Sequence, residues 1–232
     1  MRPSGPDGGG GGAGRGGAGG GASSGGAGAR GRPAARIVLA TGNPDKVTEM
    51  RLALVGLDVE IRTRADYPAV PETVEDGATL EENALKKARE LCEATGIAAV
   101  ADDTGLEADA LGGAPGVFSS RFAGPRASYA ENVAELLKRM ESVQTGARTA
   151  RFRCVIALVE PGGIEVLVEG ICPGEITTER RGQGGFGYDP VFLPEGAQRT
   201  FAEMSLEEKD RVSHRGQAMR RLRALLVERF SL

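Results

Sequence analysis

Between residues 36 and 232 short continuous apolar runs alternate with stretches whose apolar positions recur every three to four residues. The first pattern marks buried strands and the second amphipathic helices. Residues 36–40 form one such run, and Thr41-Gly42-Asn43-Pro44 follows as a turn. Pro44 suits the first position of a helix, where its missing N–H would have no partner in any case. That helix carries Val47, Met50, Leu54 and Val55 on one face, and residues 59–62 read as a second strand. Thr79-Leu80-Glu81-Glu82 has the spacing of a capping box, with Thr79 as N-cap and Glu82 reaching back. Behind it Leu80, Ala84, Ala88 and Leu91 make a helical stripe, and residues 97–101 form a buried strand that ends in two aspartates.

A Gly/Pro-rich loop at 112–116 leads to a helix over 129–140, with Val133, Leu136 and Leu137 facing inward. Residues 151–159 and 164–169, joined by Pro161-Gly162-Gly163, read as a β-hairpin. A glycine-rich loop at 182–187 precedes a strand around Val191-Phe192. The last helix begins near Ser213, its expected N-cap, and turns Met219, Leu222, Leu225, Leu226 and Phe230 inward. Strands and helices alternate early and a hairpin comes late, which predicts an α/β class with a mixed sheet.

Composition sets residues 1–35 apart. They hold 16 of the 36 glycines and are otherwise mostly Ala, Ser, Pro and Arg, so they have little to bury and are expected to be a disordered tail. A dispensable extension, sequence upstream of the true start codon and a basic arm are the three readings of that tail. The tail carries +3, leaving residues 36–232 with 25 basic and 31 acidic side chains. An acidic domain is poorly suited to duplex nucleic acid, which demands many cationic phosphate contacts, but a few focused lysines and a metal can hold a small polyanion. Cys92, Cys154 and Cys172 are widely spaced and form neither a zinc motif nor a disulfide framework. No apolar run approaches the ~20 residues that span a bilayer. A protein free in the cytoplasm is expected.

The densest chemical signal is Ala101-Asp102-Asp103-Thr104-Gly105-Leu106. Two adjacent carboxylates beside a buried strand call for a cation, and magnesium accepts a small number of carboxylates with phosphates and water. Neighbours on a strand point opposite ways, so one could bind metal while the other activates water. A turn with two solvated aspartates is the plainer alternative. Glu75 is a candidate metal ligand and Lys87 a candidate phosphate contact, or both are ordinary surface charges. The turn Thr41-Gly42-Asn43-Pro44-Asp45-Lys46 offers N–H groups, a hydroxyl and a lysine at a helix N-terminus, a combination that suits phosphate. It is not the GxxxxGK[ST] loop of P-loop enzymes. Gly182-Gln183-Gly184-Gly185-Phe186-Gly187 matches GxGxxG but leads to Tyr188-Asp189-Pro190 and a strand, so a dinucleotide fold is excluded. Phe186 there either stacks on a base or fills the core. His214, the only histidine, sits at a helix N-terminus beside Arg215, where a neutral hydrogen-bonding role suits it. Lys209 and Arg215 are contacts for base oxygen or phosphate, or surface charges.

In this order the stretches LATGNPDKVTEM, ETVEDGATLEENALKKA, ADDTGLEADALGGAPGVFSSRFAG, GQGGFGYDPVF and MSLEEKDRVSHRGQA resemble the inosine triphosphatase family, the non-standard purine nucleoside triphosphate pyrophosphatases. The resemblance spans nearly all of the chain after residue 36. It implies a two-lobed α/β fold with a long twisted mixed sheet, a homodimer, and magnesium-dependent hydrolysis of dITP, ITP and XTP to monophosphate and pyrophosphate. It implies phosphate contacts from the 41–46 turn, chiefly Thr41, Asn43 and Lys46, with Lys87 and Arg121 along the triphosphate. Asp103 would be general base and metal ligand, assisted by Glu75 and Asp102. Thr104, the run Phe186-Gly187-Tyr188-Asp189, Lys209, His214 and Arg215 would bind substrate, the later ones reading the purine. Thr104 departs from the serine of many relatives and keeps the hydroxyl. The rival readings are a Maf-like nucleotide pyrophosphatase of different base preference and a non-catalytic nucleotide sensor.

Overall fold

The structure, a computed structural model, is described for residues 35–232. The tail expected over 1–35 therefore lies outside the described residues except for Ala35, the first residue of β1 (Ala35–Leu39). The other strands are β2 (Val59–Thr63), β3 (Ala98–Ala108), β4 (Pro115–Gly116), β5 (Thr149–Glu160), β6 (Ile164–Ile176) and β7 (Phe192–Pro194). The helices are α1 (Pro44–Ala53), α2 (Leu80–Thr95), α3 (Tyr129–Arg139), α4 (Leu206–Val212) and α5 (His214–Phe230). Among the described residues the strands form one mixed sheet in the order β2-β1-β3-β5-β6-β7, with β4 paired to β3. β1 runs parallel to β2 and β3, and the pairs β3–β5, β5–β6 and β6–β7 are antiparallel.

The expected helix starts are present, each with a local cause. Asn43 caps α1 by accepting from the Asp45 N–H, Pro44 takes the first position, and Thr79 caps α2 by accepting from the Glu82 N–H. The reciprocal half of the Thr79 box lands one residue early: Glu82 accepts from the Ala78 N–H at 2.6 Å. Val55, expected inward, is 68% exposed because α1 ends at Ala53 and the chain has left the helical face.

Three apolar clusters fill the molecule. Met50 and Leu54 on one side and Met219, Leu222 and Leu226 of α5 pack against Ile37, Leu39, Val100 and Ile156 on one sheet face. Leu80, Ala84, Ala88 and Leu91 of α2 cover Val38, Ala99, Ala101 and Val155 on the opposite face. Each fully buried leucine here contributes about 2 kcal/mol. The third cluster builds a second lobe on the far ends of β3 and β5, with Leu106, Phe152, Phe192 and Phe201 against Val133, Leu136 and Met140.

The strands run longer than the apolar pattern predicts. β3 does not end at Asp102 and Asp103 but continues to Ala108, held by ten paired positions with β5 from Ala99 to Ala108. β1 is the strand that stops: the Ala40 N–H bonds Val100 O, and the chain then turns away. The aspartates thus lie just past the carboxyl end of the parallel part of the sheet, on a strand that carries on into the second lobe. β6 likewise extends to Ile176, and α4 is a helix with no counterpart in the sequence expectation.

Candidate active site

A cavity of about 320 Å³ opens at that point, within the size of small-molecule sites. Its wall includes Thr41, Gly42, Asn43, Lys46, Glu75, Lys87, Asp103, Thr104, the 186–189 run, Lys209, His214 and Arg215. Residues scattered over 175 positions are brought together here. Pro44, Asp45, Asp102 and Arg121 are not on the wall. Pro44 and Asp45 form the first turn of α1, Asp102 lies beneath the wall, and Arg121 donates from behind Glu75 to the Glu75 carbonyl at 3.1 Å.

The acidic end is organised around one ammonium. Lys87 Nζ donates to Glu75 Oε1 at 2.9 Å, Asp103 Oδ1 at 3.0 Å and the Asp102 carbonyl at 2.7 Å. Asn83, fully buried one turn before Lys87, donates to Asp103 Oδ2 at 3.2 Å and accepts from the Gly77 N–H. Burial pushes the Asp103 carboxyl above the usual range, despite the opposing pull of Lys87 and Lys46. Burial acts to raise Glu75 too, but Lys87, Lys46 and Arg121 together overcome it and hold Glu75 below its ordinary value.

Asp102 leaves the strand on the other face. Its Oδ2 receives Lys46 at 3.0 Å, Arg215 at 3.2 Å and the Thr104 hydroxyl at 3.1 Å, while Oδ1 is buried without a partner. Burial acts to raise this carboxyl, and Lys46, Arg215 and Lys87 together overcome it and hold the group well below its ordinary value. Asp102 is therefore grouped with the cations of α1 and α5, not with Glu75 and Asp103.

At the other end the glycine loop, α4 and α5 meet. Phe186 lies with Lys209 Nζ 4.7 Å and Arg215 Cζ 5.4 Å from its ring centroid, within cation–π range. Asp189 accepts from Lys209 at 2.7 Å and from the Phe186 N–H at 2.8 Å. Gly185, at φ +67°, lets the loop pass over that carboxylate, where a Cβ would collide with it. His214 stacks on Phe152 with centroids 4.5 Å apart and planes 11° apart, and its Nδ1 is buried without a partner. Burial, then Arg215 and Lys209, drive the imidazole pKa far below its ordinary value, so the ring is neutral.

Two residues of this region are not among the expected site residues. Glu49 of α1 accepts from Lys209 at 3.1 Å and from Arg215, joining helices some 160 positions apart. It lies three residues after Lys46, on the same helix face, which is the trace it leaves in the sequence. Tyr129, on the cavity wall, contacts Asn43 and Phe186.

Residues 37–225 match the model of the Ham1 family. The chain belongs to the Ham1 family. A relative from Desulfotalea psychrophila named dITP/XTP pyrophosphatase is 48% identical over 188 residues, covering 81% of this chain and 83% of its own. A HAM1 protein of known structure from Coxiella burnetii superposes with a TM-score of 0.78 at 43% identity, covering 84% of this chain and 99% of that one. A dITP/XTP pyrophosphatase structure from Mycobacterium abscessus gives 0.68 at 47% identity, with 82% and 98% covered. The two-lobed mixed-sheet architecture is thus that of Ham1 proteins.

Proposed function

We propose that this Ham1-family chain hydrolyses the non-standard purine triphosphates dITP, ITP and XTP to monophosphate and pyrophosphate in the cavity between its lobes. The observation that carries the reading is the convergence of Glu75 and Asp103 on Lys87, across the cavity from the Phe186, Lys209 and Arg215 cluster. The names of its relatives from Desulfotalea psychrophila and Mycobacterium abscessus support the same activity.

Magnesium fits this donor set. Two cavity-facing carboxylates with hard oxygens suit a cation that completes its shell with phosphate and water. We assign the metal to Asp103 and Glu75; Asp102, spent on Lys46 and Arg215, serves as their counter-charge. Bound magnesium supplies electrostatic relief of the phosphate charge.

The protein's own groups do the rest. Thr41, Asn43 and Lys46 hold phosphate oxygens at the N-terminus of α1, where unpaired N–H groups and the helix dipole favour an anion. Lys87 meets the triphosphate from the cavity wall, and Arg121, off the wall, acts through Glu75, to which it is bound. Asp103 takes the proton of the attacking water, its raised pKa making it a better base once ionised. The water oxygen bonds to phosphorus, the bond to the leaving oxygen breaks, and pyrophosphate departs.

At the base end Phe186 stacks on the purine, while Lys209 and Arg215 donate toward its 6-oxo group. An amino group there would leave those donors unpaired, which disfavours adenine. We place the enzyme in the cytoplasm as a homodimer; light scattering on the purified chain measures the latter.

The test is incubation of the protein and Mg²⁺ with dITP, ITP, XTP and the four ordinary dNTPs in ¹⁸O-labelled water. The expected result is monophosphate and pyrophosphate from the first three at far higher kcat/KM than from dATP. Equal kcat/KM for dITP and dATP refutes the reading, a preference for other bases points to a Maf-like activity, and binding without turnover points to a sensor. The product that carries the label identifies the phosphorus attacked.

A further inference from the structure

Tyr129 opens α3 in the second lobe, yet it reaches both ends of the cavity rim. Its hydroxyl accepts a 3.0 Å hydrogen bond from Asn43 Nδ2, 86 positions away, and its ring lies 5.9 Å from that of Phe186, tilted by 39°. The Asn43 end is fixed. Its Oδ1 caps α1 by accepting from the Asp45 N–H at 2.9 Å, so the amide oxygen is committed and the nitrogen is turned toward Tyr129. The Tyr129 end is fixed too. Ser128 and Glu131 exchange both bonds of a capping box at the start of α3. Buried Asn132 holds Ala123 N–H and Ser120 O, binding the preceding loop to that helix. The tyrosine itself stays 44% exposed, so core packing does not account for it.

From this geometry we infer that Tyr129 is a positioning residue: it ties the phosphate turn of the first lobe to the base loop of the second and sets the cavity width that a nucleoside triphosphate spans. The inference rests on the assignment of phosphates to the Thr41–Lys46 turn and base to Phe186. A nucleotide held at both ends experiences the link as a fixed separation between its two grips. Without the link, closing the lobes on the substrate carries an added ordering cost, which reduces affinity more than it slows bond breaking.

Two substitutions, combined in a cycle, separate the bond from the phosphate contact proposed for Asn43. Tyr129→Phe keeps the ring and removes the hydroxyl, and Asn43→Ser keeps an oxygen that can cap α1 while removing the amide donor. Steady-state kinetics on dITP are measured for the wild-type full chain, both single variants and the double variant, each with a thermal melt to report folding. Tyr129→Phe is expected to raise KM by about 3- to 10-fold, the loss of one neutral hydrogen bond, with a smaller fall in kcat. In the Asn43→Ser background the second substitution is expected to add nothing, because the bond is already gone. An unchanged KM in Tyr129→Phe, or effects that multiply in the double variant, overturns the inference. Should the wild type bind dITP without cleaving it, the catalytic reading fails instead, and the same cycle is read from calorimetric Kd values. Absence of dITP binding sinks both.

Discussion

Asp102 and Asp103 adjoin on β3 and leave it on opposite faces, Asp102 toward Lys46 and Arg215, Asp103 toward Asn83 and Lys87. The separation gives two neighbouring carboxylates different work. Asp102 is 1% exposed and neutralises two cations from different helices, whereas Asp103 faces the cavity. Asp103→Asn is expected to lower kcat by about 10²- to 10⁴-fold, the loss of a general base, with a near wild-type melt. Asp102→Asn leaves Lys46 and Arg215 short of a buried partner and is expected to cost about 3–5 kcal/mol in urea unfolding. The same phenotypes exchanged between the two asparagine variants, or full turnover in Asp103→Asn, contradict this division.

The base end is tested through Lys209, whose ammonium lies over Phe186 and against Asp189 and Glu49. In the proposed pose, Lys209→Met removes a charged donor from the 6-oxo group. The kcat/KM for dITP should fall by about 10- to 100-fold, as for loss of a hydrogen bond to a charged group. The kcat/KM for dATP, which offers no acceptor there, should change far less. A parallel fall for both nucleotides would assign Lys209 to the phosphates.

His214 makes stability depend on pH in a direction unusual for a histidine. Its folded pKa is held far below the ordinary 6.5, first by burial and then by Arg215 and Lys209, so the folded protein excludes a proton that the unfolded chain accepts. Stability is therefore complete above pH 6.5 and declines as pH falls below it, with a slope approaching about 1.4 kcal/mol per pH unit. No other histidine exists to contribute. Urea titrations at pH 7.5, 6.5 and 5.5 on the wild type and His214→Gln read the difference in slope between them. Parallel pH profiles for the two proteins would mean that the imidazole is hydrated and free to protonate.

What the sequence discloses and what it hides follow the range of the forces involved. Asn43, Pro44, Thr79 and Ser213 mark helix starts because capping is settled within four residues. The opposite facing of Asp102 and Asp103 is legible from strand periodicity, but the continuation of β3 beyond them to Ala108 is hidden: no apolar run marks Thr104-Gly105, and only pairing with β5 keeps the segment extended. α4 escapes notice because its seven residues bury only Lys209 and present no apolar stripe. The motifs supply most of the cavity wall, since each is a local segment with its own chemistry, while Arg64, Val70, Glu90 and Phe152 reach it from segments outside them. Glu49 and Tyr129 are missed because their partners, Lys209, Arg215 and Phe186, are supplied by segments far along the chain.

One position with no chemistry of its own sets the start of α5, and with it His214 and Arg215. Gly170 sits in β6, buried, where a Cβ would collide with the His214 carbonyl and the Ala218 amide nitrogen. These are backbone atoms of a helix whose Ser213 cap and Glu49 and Asp102 contacts leave little room to yield. Gly170→Ala is therefore expected to lose about 1–3 kcal/mol by overpacking. The displacement of α5 moves Arg215 away from both Asp102 and Phe186, so kcat/KM for dITP should fall as well. A urea unfolding curve and dITP kinetics on the same preparation test this. Wild-type values in both would mean that β6, rather than α5, moves to admit the methyl group, and that the cavity tolerates the shift.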